Sequence, residues 1–390
     1  MRCRFILILF AACLIIVCQN VYAGQTDDTQ PLLDEYSDLY GGIFDEKLDA
    51  SGVFDGIVPE FSAKDILKQL NSGDISLAPS EVLRYILRLL LGEVYDGAKL
   101  MALVLAMSVL SSYLSGLKSG FGGAAVADCA FYACFTVISG IASAAFYEAA
   151  LCASQAIENV AVFMRFIVPV LVTTLLTSGA AISAQTLEPT LLAIVEVAVW
   201  VIETVFIPGV MISTALNIVN GMSDKFKTDR MVKLLNSAVK WGLSVMLTVF
   251  VSLAGLKSIA SAGADGLAVK LSKFAASNLI PMIGGILAES VETVLNCSVV
   301  IKNSVGILGI ICLILIALRP VLKLGALLII FRITAAVAEP VSEPKLITCI
   351  SRLGDSISVL FSMIAAVTVM FVIVMTIMIN AGSSAAVLGR

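Results

Sequence analysis

Glu196 and Glu203 stand seven residues apart in an otherwise apolar stretch, so on a helix they share one face, with Trp200 beside them. Carboxylates in such a setting are costly unless wetted or paired. They are suited either to a proton-coupled polar pathway or to structural pairing with a cation such as Arg165 of a neighbouring run. Asp128, Lys240 and the pair Arg319 and Lys323, which flank Pro320, add further charges inside or at the edges of apolar runs. A second constellation occupies residues 286–303, where Glu289, Glu292, Thr293, Asn296 and Asn303 fall at helical spacing along one face. That stripe could line a wet cavity or meet a polar partner; an interfacial helix with its polar face in water is the competing reading. The chain has no histidine, which removes Ser-His-Asp and Cys-His catalysis, HExxH zinc sites and histidine relays together. It also lacks a phosphate-binding G-x-x-x-x-G-K-[ST] loop and a G-x-S-x-G elbow. No catalytic residue, cofactor, metal site or nucleic-acid partner is expected.

These charges must be positioned by membrane helices. With 59% hydrophobic residues, 14% charged residues and a mean hydropathy of +1.00, the composition is that of an all-α polytopic membrane protein. Apolar runs at residues 100–117, 124–147, 159–178, 189–219, 234–255, 304–330 and 356–379 predict about seven passes. The 189–219 run is long enough to tilt or break, with Pro208-Gly209 as the natural break. Between 256 and 303, Gly255, Gly263, Gly266, Pro281, Gly284 and Gly285 interrupt moderately polar helical pieces, a pattern that suits broken or re-entrant helices inside a bundle. Residues 81–95 carry Leu83, Ile86, Leu87, Leu90 and Val94 at helical spacing, as in a helix lying on the membrane surface or one packed on an exported domain.

Residues 1–23 read as a secretory signal: Arg2 and Arg4, an apolar run over 5–18, and Ala23 before the cut. Residues 24–97 then form an acidic extracytoplasmic region of net charge −10 with an amphipathic helix, and residues 98–390 a multi-span domain of net charge +4. The stretch 224–233 is net basic and should face the cytoplasm, yet counting seven single passes from an exported start places it outside. Of the nine cysteines, three leave with the signal. The other six (Cys129, Cys134, Cys152, Cys297, Cys312 and Cys349) are scattered among apolar residues as small hydrophobes, without a C-x-x-C pair.

Read in order, VKLSKFAASNLIPMIGGILAESVETVLNCSVVIKNSVGILGI (269–310), SGAAISAQTLEPT (178–190), NIVNGMSDKFKTDRMVKLLNSAVKWG (217–242) and the closing KLITCISRLGDSIS resemble the stage III sporulation protein AE family of endospore formers. The resemblance covers nearly the whole chain. It implies a multi-pass subunit, without enzymatic activity, of a channel or secretion-type complex in the mother-cell membrane around the forespore. It implies as partners the other stage III operon membrane proteins and, across the intermembrane space, a forespore membrane protein. It also implies support of forespore development and late sigma-factor activity, and supplies no functional residue. The alternative from the residues alone is a proton-coupled secondary transporter of a small solute working through Glu196 and Glu203.

Overall fold

An apolar run can cross lipid with every backbone N–H and C=O bonded only as a helix or as part of a closed barrel. The computed structural model describes residues 79–116, 124–222, 228–279 and 284–388, and every regular element among them is helical. In chain order these are α1 (Pro79–Gly116), α2 (Ala124–Thr177), α3 (Ala181–Val201), a π-helical turn (Ile202–Phe206), α4 (Ile207–Met222), α5 (Asp229–Leu279), α6 (Gly284–Ala338) and α7 (Pro344–Leu388). The signal segment 1–23, acidic residues 24–78, residues 223–227 and Pro281 lie outside the described residues.

The chain is thus an all-α polytopic membrane protein. Among the described residues six stretches are long and apolar enough to cross a membrane: Ile86–Tyr113, Phe131–Thr177, Ala181–Met222, Asp229–Lys257, Ser298–Ala338 and Pro344–Ala381. The difference from seven passes lies in α2, because the runs 124–147 and 159–178 are two parts of one 54-residue helix. Between them Glu148 and Glu158 lower the hydropathy, but the segment is rich in alanine and contains neither glycine nor proline, so nothing in it ends a helix. Residues 81–95 likewise form the first half of α1 rather than a separate surface helix, and the boundary drawn after residue 97 falls inside that helix. Gly97 does not end α1. It lets α1 approach α6, since a Cβ there would meet the Ile330 side chain.

Proline and glycine act differently at the other expected breaks. Pro208 lies one residue into α4, and the chain accommodates it by widening the preceding turn: Ile207 N–H bonds to Ile202 C=O, a π-type bond. The helix therefore continues through Pro208-Gly209 instead of breaking. Gly255, Gly263 and Gly266 all lie within continuous α5, and Gly284 and Gly285 open α6, so none of these described glycines interrupts a helix. A true stop is found at Gly179, whose φ of 80° closes α2. There Gly179 N–H bonds to Leu176 C=O and Ala180 N–H to Leu175 C=O, a Schellman pair that reverses the chain into α3.

Successive passes pack as antiparallel hairpins. Arg165 meets Glu196 across α2 and α3, Ser213 donates to Asn236 across α4 and α5 at 2.9 Å, and Arg332 meets Asp355 across α6 and α7 at 2.5 Å. This up-and-down order puts the start of α1, the turn 178–180, the end of α5 with the start of α6, and the end of α7 on one side. The end of α1 with the start of α2, the end of α4 with the start of α5, and the turn 339–343 lie on the other.

The span of α7 is 83% buried against 18% for α1 and 22% for α5, so α7 is the centre, packed by α6, α5, α2 and α4, while α1 rides outside on α2 and α6. In α2 the buried stripe Ala142, Ala145, Ala149, Ala153, Ala156 and Val160 recurs at three- and four-residue steps, and its small side chains let neighbouring backbones close in. On α6, Gly306 and Gly309 do the same towards Ile379 and Met375 of α7. None of the five described cysteines, Cys129, Cys134, Cys152, Cys312 and Cys349, is in a disulfide; Cys134, Cys312 and Cys349 are buried among apolar neighbours.

Candidate functional site

The α2–α3 hairpin explains how residues 31 apart in sequence come together. Arg165 lies 12 residues before the end of α2 and Glu196 15 residues after the start of α3, so both stand roughly 20 Å from the turn. Arg165 Nε donates to Glu196 Oε1 at 2.5 Å and its Nη2 to Oε2 at 3.1 Å, a fork that fits the planar guanidinium. Nη1 donates to Glu158 Oε1 at 3.1 Å, two helical turns back on the same face of α2. Glu203 sits in the π-helical turn, within electrostatic range of Glu158 and Arg165.

The network lies on the outside of the bundle. The side chains of Arg165, Glu158 and Glu196 are 40%, 45% and 50% exposed, and Val197 and Trp200 beside them are also exposed. Two carboxylates and one cation, with a third carboxylate near, leave a net negative polar face within an apolar span.

The remaining charges do not join this network. Arg319 and Lys323 of α6 act with Glu93 of α1 on the surroundings of Cys152 in α2, forming a second electrostatic neighbourhood. Lys240 is exposed on α5, and the side chain of Asp128 lies outside the described residues. The stripe Glu289, Glu292, Thr293 and Asn296 is helical, in the first part of α6, with side chains outside the described set. Asn303 is described, and its buried Oδ1 has no hydrogen-bond partner among the protein atoms. Because α6 runs unbroken from Gly284 into its span at Ser298, the stripe extends along the bundle axis by about 20 Å instead of lying across it.

Sequence reasoning missed charges for different reasons. Glu158 was detectable from its seven-residue spacing to Arg165 once both belong to one helix. Glu93 was hidden by being assigned to a surface helix. Lys302, set between Ile301 and Asn303, is fully buried in α6, and only packing against the other helices shows it. No group of three or more metal-ligating side chains gathers among the described residues.

A family model described as stage III sporulation protein AE matches residues 61–382. The chain belongs to the stage III sporulation protein AE family. It is 30% identical over 330 residues to the stage III sporulation protein AE of Bacillus subtilis (strain 168), covering 85% of this chain and 82% of that one. No solved structure matches it. The family match includes α1 to α7 up to residue 382, so a sporulation role attaches to the whole helical membrane body.

Proposed function

We propose that this member of the stage III sporulation protein AE family is a non-enzymatic membrane subunit of a mother cell-to-forespore channel complex, acting as scaffold or part of the conduit. The observation that carries the proposal is the half-exposed Glu158–Arg165–Glu196 network on the outer wall of the bundle. Charges in an apolar span need protein or water against them, and a solitary bundle would turn this face to lipid. Partner subunits, here other stage III operon membrane proteins, supply the cover. The second support is the layout of ends. The start of α1, which follows the acidic region 24–78, lies on the same side as the α5–α6 hairpin that carries Glu289 and Glu292. With an exported start, both project into the intermembrane space, where a forespore membrane protein would meet them in support of late sigma-factor activity.

The orientation has a direct test. With α2 as one pass, the basic stretch 224–233 falls on the cytoplasmic side of an exported start, and the conflict with the positive-inside rule disappears. In a background freed of native cysteines, Asp38→Cys should react with a membrane-impermeant thiol reagent on protoplasts made before engulfment, and Lys225→Cys only after lysis. Labelling of Lys225→Cys in intact protoplasts would reverse the orientation.

Glu203 in the π-helical turn favours the second reading, a proton-coupled transporter, because such turns recur at functional sites. Affinity purification of tagged chain from sporulating cells separates the two when combined with Glu196→Gln/Glu203→Gln. The subunit reading expects co-isolation of the other stage III membrane proteins and substantial sporulation of the double variant at normal abundance. A chain that purifies without them, and whose double variant accumulates normally but forms no spores, supports transport instead.

A further inference from the structure

Where the end of α4 meets the start of α7, Asn217 and Asn220 of α4 and Lys345, Thr348, Cys349 and Arg352 of α7 wall a cavity of about 200 Å3. Its charges are engaged. Arg352 pairs with Asp229 at 2.6 Å, and Lys345 also has an interaction partner, so charge does not choose an occupant here. Asn220 is engaged too: its Nδ2 donates to Asp229 at 2.8 Å and its Oδ1 accepts from Thr228 N–H at 3.3 Å. Asn217 differs. It is 1% exposed, and neither Nδ2 nor Oδ1 has a hydrogen-bond partner among the protein atoms. A buried amide unmet at both ends is destabilising, whereas leucine would fill the same space without that cost, so the position is poor as packing and suited to a ligand.

We propose that this cavity takes a primary carboxamide, the end group of an asparagine or glutamine side chain on a partner polypeptide. One carboxamide complements another: the C=O of the incoming group accepts from Asn217 Nδ2 while its N–H donates to Asn217 Oδ1. Simpler groups fail at one end. An ionised carboxylate only accepts and leaves Oδ1 unmet, and an ammonium group only donates and leaves Nδ2 unmet. A hydroxyl presents a single oxygen and cannot lie in line with both the N–H and the C=O of Asn217. Size narrows the choice further. The cavity is below the range of about 300–1,000 Å3 used by drug-sized ligands, so it admits one side chain end-on. Position selects a polypeptide as the carrier. The spans Ala181–Met222 and Pro344–Ala381 each have an end at this wall, and Val219, Met222 and Val341, within three residues of it in sequence, are exposed. A polypeptide covers that apolar rim while its side chain enters the cavity, and a free small amide does not.

The test uses the full chain in a neutral detergent at neutral pH, with N-acetylglutamine methylamide, N-acetylglutamate methylamide, N-acetylnorleucine methylamide and propionamide as probes. Ligand-observed NMR titration reads their affinities. The first three carry the same two peptide groups, so a preference among them reports the end of the side chain. The glutamine probe should bind about tenfold more tightly than the glutamate and norleucine probes, as expected from two hydrogen bonds of ordinary net strength. Asn217→Leu should remove that preference. If it fails to fold, Thr348→Trp carries the test, because Thr348 is exposed on the rim and a tryptophan there closes the mouth while leaving the amide in place. Propionamide should bind more weakly than the glutamine probe, and equal affinity would keep the site but overturn the polypeptide as its source. No preference for the glutamine probe, or a preference that survives in the variants that fold, would overturn the proposal.

Discussion

Gly306→Leu is expected to abolish accumulation of the folded protein. A Cβ at this position already meets Ile379 Cγ1 and Cδ1, and Ile379 is β-branched and held on α7, the most buried helix of the bundle. Room for a leucine would require α6 and α7 to separate along a seam that also contains Gly309, whose Cβ would meet Met375 and come within 3.1 Å of Ile167 Cγ1. Overpacking of a tight core costs about 1–3 kcal/mol and occasionally more. The upper part of that range applies here because the obstruction is close to the backbone of a helix fixed on several sides. Immunoblots of membranes measure the result, with Gly306→Ala and Gly306→Ala/Ile379→Ala as the controlled pair. Removing the isoleucine branches should return the alanine variant towards normal abundance. Normal levels of Gly306→Leu would show that the α6–α7 seam is looser than this geometry requires.

Arg165→Met should cause the next largest loss. It removes the fork on Glu196 and the bond to Glu158, leaving two carboxylates without their cation and a third, Glu203, close by. The size of the effect reports what covers this face. Where water reaches it, an exposed pair is worth about 0–1 kcal/mol. Against lipid or a partner subunit, a charge in a span costs on the order of 2.5–3.5 kcal/mol, and abundance should fall severalfold. The covered-face reading expects the larger loss, with recovery on adding Glu158→Gln and Glu196→Gln. A loss within the exposed-pair range would mean that the face is wet and would remove the main support for a partner there.

The separate fates of the ionisable residues show why part of the candidate site was readable and part was not. The pairing of Arg165 with Glu196 was among the readings open from residue types alone, because an intramembrane cation and carboxylate seek each other across a hairpin. Glu158 escaped because hydropathy treats a glutamate as the end of a span. In fact the Ala-rich segment around it continues the helix, and the charge is tolerated on an exposed face beside its partner. The same averaging turned one 54-residue helix into two passes and reversed the side of every later loop. Pro208 and the glycines of α5 were read as breaks from local propensity, but a wider turn absorbs Pro208 and α5 runs unbroken through its glycines.

Composition and run length, by themselves, determined the class of this protein: a many-helix membrane body, without histidine chemistry, whose ordered local sequences resemble one sporulation family. These are properties of residue type and spacing, and lipid makes them decisive because it leaves the backbone so few ways to be satisfied. Only the tertiary structure decided which helix is central, that α2 is a single pass, that Lys302 is buried, and that Asn217 is left unmet beside Lys345 and Arg352. The burial of Lys302 and the setting of Asn217 depend on contacts between separate helices, and helix periodicity records that a face is apolar or polar without recording what will lie against it.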